Sequence, residues 1–250
     1  AIGGKANAGE GIKIASVDGG IHKDAPMFSG EGYEYPQGYP KGDTRNTNGK
    51  IIVARTYFRA WDPPAPGDEN PWPGVAGTPH GNHTSSIAAG NEVQASYAGA
   101  PPVTLSGVAP RAYLMSYRVF YYSVAGSRSA WTPEFLAALE DALLDGADMI
   151  NNSWGGGNYN SVDDPEVLAF EAAVDAGVVV VFSAGNSGSA AFTIGNPGGN
   201  SDKFITVANS YNSRMYANAV SVESPSGATP PLDTGVVAYP GSNTSVTESF

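Results

Sequence analysis

The chain has no cysteine among its 250 residues. That excludes a disulfide framework, a thiolate metal site and a cysteine nucleophile. Histidine is scarce as well, with His22, His80 and His83 the only three. Cations are few: 13 Lys and Arg stand against 24 Asp and Glu, a formal charge of −11. This balance opposes phosphate backbones and anionic lipid, so neither nucleic acid nor a membrane is an expected partner. No run approaches the roughly 20 apolar residues that span a bilayer. The opening residues AIGGKANAGEG lack a basic start followed by an apolar core, so no secretory signal is visible, and a secreted form would have lost its leader already. What the chain has in quantity is glycine and proline, 32 and 19 residues, which point to short elements joined by many loops. At this length it forms one large α/β domain or two small ones, and either buries a sizeable core.

Residues 11–17 (GIKIASV) form a short apolar, β-branched run ending at Asp18-Gly19-Gly20, a buried strand followed by a tight turn. Residues 29–79 read as surface loop around one strand, Lys50 to Tyr57. The pattern becomes helical at His80 and stops at Gly90, and Leu114 to Phe120 reads as another strand. Thr132-Pro133-Glu134 predicts a helix cap, and Phe135, Leu136, Leu139 and Leu143 an apolar stripe before Gly146. A strand over residues 147–154, a helix over 164–176 and a strand over 178–183 follow. Alternating strands and helices, with each strand ending in a polar turn, predict an α/β fold: a parallel sheet with helices on both faces. Sites in such sheets gather at the carboxyl ends of the strands. After Ile205-Thr206-Val207 the character changes to Ser, Thr, Pro and Gly, with strand-like alternation in AVSVES (219–224).

Asp18, His80 and Asn186 sit at strand ends or a helix start and are of catalytic type. Asp18 could orient an imidazole and stabilise its charged form, or simply cap its own turn. His80 and His83 lie about one turn apart, and local chemistry does not choose between them. Their spacing, HGNH, is a weak zinc signal, because a His-x-x-x-His pair and a third ligand are the usual requirement. Asn186 could offer an amide donor to a developing oxyanion, yet taken alone it reads as a turn residue beside Gly185.

Five segments together resemble the subtilisin-like serine proteases, the subtilases. IKIASVDGGI (12–21) is similar to the family's aspartate motif and HGNHTSSIAAG (80–90) to its histidine motif. GVAPRAYLMSYRV (107–119) resembles its Gly-Val-Ala-Pro segment, MINNSWGG (149–156) its substrate-lining strand, and VVVVFSAGNSG (178–188) its oxyanion-asparagine motif. The resemblance implies Asp18 as the orienting carboxylate, His80 as general base, His83 on the helix behind it and Asn186 as oxyanion donor. It further implies that Ser153, Trp154, Gly155, Ala184 and Gly185 line the substrate cleft, with Val124 to Ser127 also near it, and that an extended peptide or protein substrate adds there as a strand. No cofactor is required; calcium, common in the family, is expected at most as a weakly held structural ion. A secreted, extracellular enzyme is implied.

The chain departs from the family pattern at Gly19, where Thr or Ser is usual, at Asn82 in place of Thr, and at the more polar Thr84-Ser85-Ser86. No segment like Gly-Thr-Ser-Met-Ala-x-Pro, which holds the family's nucleophile, occurs in these residues. Ser85, Ser86, Ser153 and Ser183 belong to other motifs. The expectation is therefore a serine endopeptidase represented by the amino-terminal part of its catalytic domain, inactive alone and prone to associate, with the rest of that domain as a partner. The expected division is 1–219 for that part and 220–250 for a β-type segment or linker. EYPQGYPKGDTRNTNGKIIVAR (34–55) resembles the larger members, in which a protease-associated domain is inserted at such a point. The alternatives are a non-catalytic homologue acting as a binding or scaffold protein and, further off, a His-Asp metal hydrolase.

Overall fold

The computed structural model describes residues 4–72, 79–96, 101–156 and 163–210, together with the backbone of 218–219 and 237–238. The chain divides into two units, Ala1–Ala208 and Asn209–Phe250. In chain order the first unit contains β1 (Lys13–Asp18), β2 (Lys41–Gly42), β3 (Ile51–Thr56), α1 (His80–Ala89), β4 (Val93–Ala95), β5 (Val103–Leu105) and β6 (Tyr113–Arg118). It continues through α2 (Thr132–Asp145), β7 (Met149–Asn152), α3 (Pro165–Asp175), β8 (Val179–Ser183) and β9 (Ile205–Val207). In the second unit β10 (Asn218–Ala219) pairs antiparallel with β11 (Val237–Ala238). The rest of the AVSVES stretch lies outside the described residues.

The fold is α/β. Seven strands form one sheet in the order β2-β3-β6-β1-β7-β8-β9, and every pairing in it is parallel. All seven carboxyl ends therefore lie on one edge, with β1 at the centre. Alternate residues of β1 face opposite ways, as the two-residue repeat of a strand requires. Ala15 and Val17 join Phe135, Leu139, Val167 and Phe170 of α2 and α3 in the larger core, whereas Ile14 joins Ile51, Leu114 and Ala89 of α1 in the smaller. Helices thus cover both faces, and the strands are apolar on both sides for that reason. Among the described residues no helix is long and apolar enough to cross a membrane.

Two local expectations need correction. Thr132 is not the cap of α2: Trp131 holds that position, and the Thr132 hydroxyl donates instead to Glu166 Oε1 at 2.6 Å. The α2 stripe centres on Phe135, Ala138, Leu139 and Ala142, with Leu136 and Leu143 at its margins, while Gly146 stops the helix in the left-handed region at φ 86°. Residues 58–72 are also more than surface loop. The buried Arg118 guanidinium donates to the Asp68 carboxylate at 2.7 Å and to the carbonyls of Asp68, Asn70 and Trp72, so one cation of the central sheet pins the segment.

Candidate active site

Asp18 is the last residue of β1 and is 1% exposed. A carboxylate this deeply buried must be saturated with donors. The Gly19 N–H donates to Oδ1 at 2.6 Å and the Thr84 hydroxyl to Oδ2 at 3.2 Å. His80 Nδ1 lies 3.0 and 2.9 Å from the two oxygens and donates to them. Because a carboxylate only accepts, this contact assigns the ring proton to Nδ1 and leaves the Nε2 lone pair available. The His80 side chain is 53% exposed, so the ring runs from a buried anion outward to solvent. The hydrogen bond to Asp18 raises the imidazole pKa above its ordinary 6.5, against the lowering effect of partial burial. An imidazole so held can take a proton at Nε2 while the carboxylate stabilises the charge.

The local sequence explains how α1 comes this close. A Cβ at Gly81 would lie 2.4 Å from the carbonyl oxygen of Gly20, so only glycine lets the helix start rest on the turn after β1. Asn82 Oδ1 accepts the His22 N–H at 2.7 Å, tying the same turn to the helix. The polar run at 84–86 faces inward as well as outward: Thr84 reaches Asp18, and Ser85 Oγ lies 3.0 Å from Ser16 Oγ of β1. The departures at Asn82, Thr84 and Ser85 therefore act as polar ties between α1 and the strand end. Thr84, four residues after His80 on the same helix face, was legible as a neighbour from spacing alone. His83 is exposed one turn on, and the Asp18 carboxylate bonds go to His80, Gly19 and Thr84.

The remaining candidates occupy the next strand ends. Ser153, Trp154 and Gly155 follow β7, where Ser153 Oγ accepts from Asn151 Nδ2 at 3.0 Å. Ala184, Gly185 and Asn186 follow β8, with Gly185 at φ 85° and Asn186 exposed. The Ser183 hydroxyl donates to the Trp154 carbonyl at 3.4 Å, and the Gly156 N–H donates to Asn196 O at 3.1 Å, stitching the two ends together. β8 lies two strand spacings from β1, about 10 Å, so Asn186 shares the edge without touching the Asp18–His80 pair. Trp154 is as much core as cleft: its ring stacks on Phe135 at 3.8 Å and meets Phe182 edge-on at 5.4 Å. With Gly155 it also lines a cleft of about 480 Å³. The N–H groups of Val124 to Ser127 donate to Pro63, Asp62 and Ser123. Among the described residues no group of three or more His, Cys, Asp or Glu is placed to hold a metal ion.

A family model described as the subtilase family matches residues 9–249. The chain belongs to the subtilase family. It is 31% identical to subtilisin-like protease SBT2.1 of Arabidopsis thaliana over 87% of this chain and 28% of that protein. It is 35% identical to subtilisin-like protease SBT5.3 of the same plant over 77% of this chain and 26% of the relative. The chain thus spans about a quarter of the length of the curated relatives it matches. A solved structure described as that of the prenylagaramide maturation protease PagA aligns with a TM-score of 0.49 at 20% identity, over 78% of this chain and 52% of that one. The subtilase family is one of serine proteases.

Proposed function

We propose that this chain supplies the aspartate, the histidine and the oxyanion-binding asparagine of a secreted serine endopeptidase, with the nucleophilic serine contributed from outside residues 1–250. The observation that carries the reading is the buried Asp18 carboxylate bonded through both oxygens to Nδ1 of a half-exposed His80. Nε2 takes the serine proton as the serine oxygen attacks the peptide carbonyl, and the imidazolium returns it to the departing amine. The Asn186 amide is the donor to the tetrahedral oxyanion. Ser153 to Gly155 and Ala184-Gly185 flank an extended peptide between the ends of β7 and β8.

Fluorophosphonate labelling tests this. The protein carrying this chain and its nucleophile segment is expected to label, His80→Ala to abolish labelling, and His83→Ala to retain most of it. Equal loss from both variants would remove His80 from the role of base. No labelling at all would favour a binding or scaffold protein built on the same fold.

A further inference from the structure

The cleft beside Trp154 contains a buried carboxyl group with no cationic partner among the described residues. Phe120, Phe135 and Trp154 give the cleft an aromatic side, Ser129, Thr132 and Asn196 make other parts of its lining polar, and Gly155 and Gly156 form one margin. Glu166, in the first turn of α3, also lines it and is only 9% exposed. One carboxyl oxygen accepts the Thr132 hydroxyl at 2.6 Å, and no cation pairs with the group among the described residues. The neighbouring charge is Asp164, of like sign, and burial pushes the Glu166 pKa up.

Among the described residues the guanidinium groups of this region have other contacts. Arg59 Nη1 donates to Glu134 at 2.9 Å, and the exposed Arg128, at the margin of the cleft, is centred 5.2 Å over the Tyr122 ring. Glu134 makes the contrast plain. It too lies in the first turn of its helix, α2, is also buried, and has both a guanidinium and the Trp131 N–H as donors. Burying a carboxylate without a counter-charge is costly, and the cost falls when a ligand brings one.

We propose that Glu166 makes this cleft selective for a peptide side chain that ends in a cationic donor, a lysine or an arginine of the substrate. The inference rests on the reading that a peptide lies along the ends of β7 and β8. The methylene stem packs on the aromatic side of the cleft, while the ammonium or guanidinium meets the carboxylate. A norleucine side chain of similar length packs on the same side and leaves the charge unpaired. An acidic side chain meets repulsion from Glu166 and Asp164 together. The net charge of −11 favours approach of the same peptides.

Fluorescence anisotropy on the full 250-residue chain provides the test, using fluorescein-labelled alanine hexapeptides with a single lysine or a single norleucine at each position in turn. At one position the lysine peptide is expected to bind about tenfold more tightly than its norleucine counterpart. Glu166→Gln keeps an acceptor for Thr132 and the shape of the side chain, and is expected to bring the ratio to within about twofold. A ratio unchanged in Glu166→Gln, equal binding of the two peptides by the unaltered chain, or no binding of either would overturn the proposal. A cooperative melt within a few degrees of the parent establishes that the variant is folded. Labelling by fluorophosphonate reports separately on the reactive centre. A lysine preference in a protein that fails to label leaves this inference standing and removes the hydrolase reading; labelling without preference does the reverse.

Discussion

Asp18 and Asp145 are both nearly sealed from solvent, and both use both carboxyl oxygens, yet they hold opposite kinds of partner. Asp145, at the end of α2, receives Arg55 through two hydrogen bonds of 2.8 and 2.9 Å, Tyr117 at 2.9 Å, and the Lys41 ammonium at 3.5 Å. Burial lifts the pKa of this carboxyl, but the Arg55 and Tyr117 hydrogen bonds and the nearby charges outweigh it and hold the group below the usual carboxylate range. The same neighbourhood pushes the Arg55 guanidinium and the Tyr57 and Tyr117 phenols up, so none of them gives up a proton near neutral pH. Asp18 instead holds one imidazole whose far side reaches water. A guanidinium can only balance a carboxylate, whereas an imidazole can balance it and still exchange a proton near neutrality. Burial and hydrogen bonding alone do not mark a reactive carboxylate; the titration range and exposure of the partner do.

The largest expected effect separates the two clusters by activity. In the protein carrying the nucleophile segment, His80→Ala is expected to lower peptide hydrolysis by on the order of 10⁶-fold and Asp18→Asn by about 10⁴-fold, as the turnover of a labelled peptide would measure. Asp145→Asn, at a temperature where the protein is folded, is expected to leave turnover near the parent value. A large loss there would erase the distinction.

Stability is expected to divide the pair the other way. Removing the Asp145 carboxylate with Asp145→Ala leaves Arg55 and Tyr117 without their acceptor, a loss of about 3 kcal/mol by urea unfolding and toward the low end for a buried pair, because Arg55 is partly exposed. Asp145 has a lowered folded pKa, so its contribution is present above its unfolded value of 3.8 and is lost as pH falls through the folded pKa. The variant is therefore expected to show a flatter acid limb than the parent.

Gly81→Ala sharpens the geometric side. The added methyl would meet the Gly20 carbonyl at 2.4 Å, and a backbone atom cannot swing aside, so the expected cost is about 1–3 kcal/mol. The His80 signal should move with it, since α1 must withdraw from the strand end. Unchanged melting would mean that the turn after β1 yields more easily than its packing suggests.

The smallest effect is the titration of His80 itself, followed by nuclear magnetic resonance of its ring. Its midpoint is expected above 6.5 in the chain and lower in Asp18→Asn. A raised folded pKa means that the Asp18–His80 interaction contributes stability fully below pH 6.5 and loses it as pH rises through the folded value. Base function runs in the opposite sense, because only the neutral ring accepts a proton, so hydrolysis should rise through the same midpoint. A midpoint at or below 6.5 would contradict the proton-holding role of Asp18.

Local patterns carried much of this in advance. The helix end at Gly146, the run into Asp18 and the alternation of strands with helices follow from short-range rules of turn chemistry and periodicity. The Arg118 clamp on residues 58–72 was not legible, because its acceptors are largely carbonyls roughly fifty residues away and a carbonyl carries no sequence identity. The role of Thr132 was missed for a related reason. A Thr before Pro and Glu reads as a cap until a carboxylate from another helix competes for its hydroxyl.

By itself the sequence determined the alternation of the longer strands and helices, but not the short strands β2, β4 and β5, together with the absence of thiol chemistry and the family, since apolar periodicity and motif order are properties of the chain read along its length. It narrowed the imidazole question to His80 or His83 and went no further on local chemistry. The tertiary structure brought Asp18, 62 residues away, onto the Nδ1 of His80, because parallel strands put their ends on one edge and Gly81 lets α1 rest against the turn. It also decided which buried acids are neutralised. Charge pairing depends on distances of a few ångströms between elements far apart in sequence, and those distances exist only once the sheet and helices have packed.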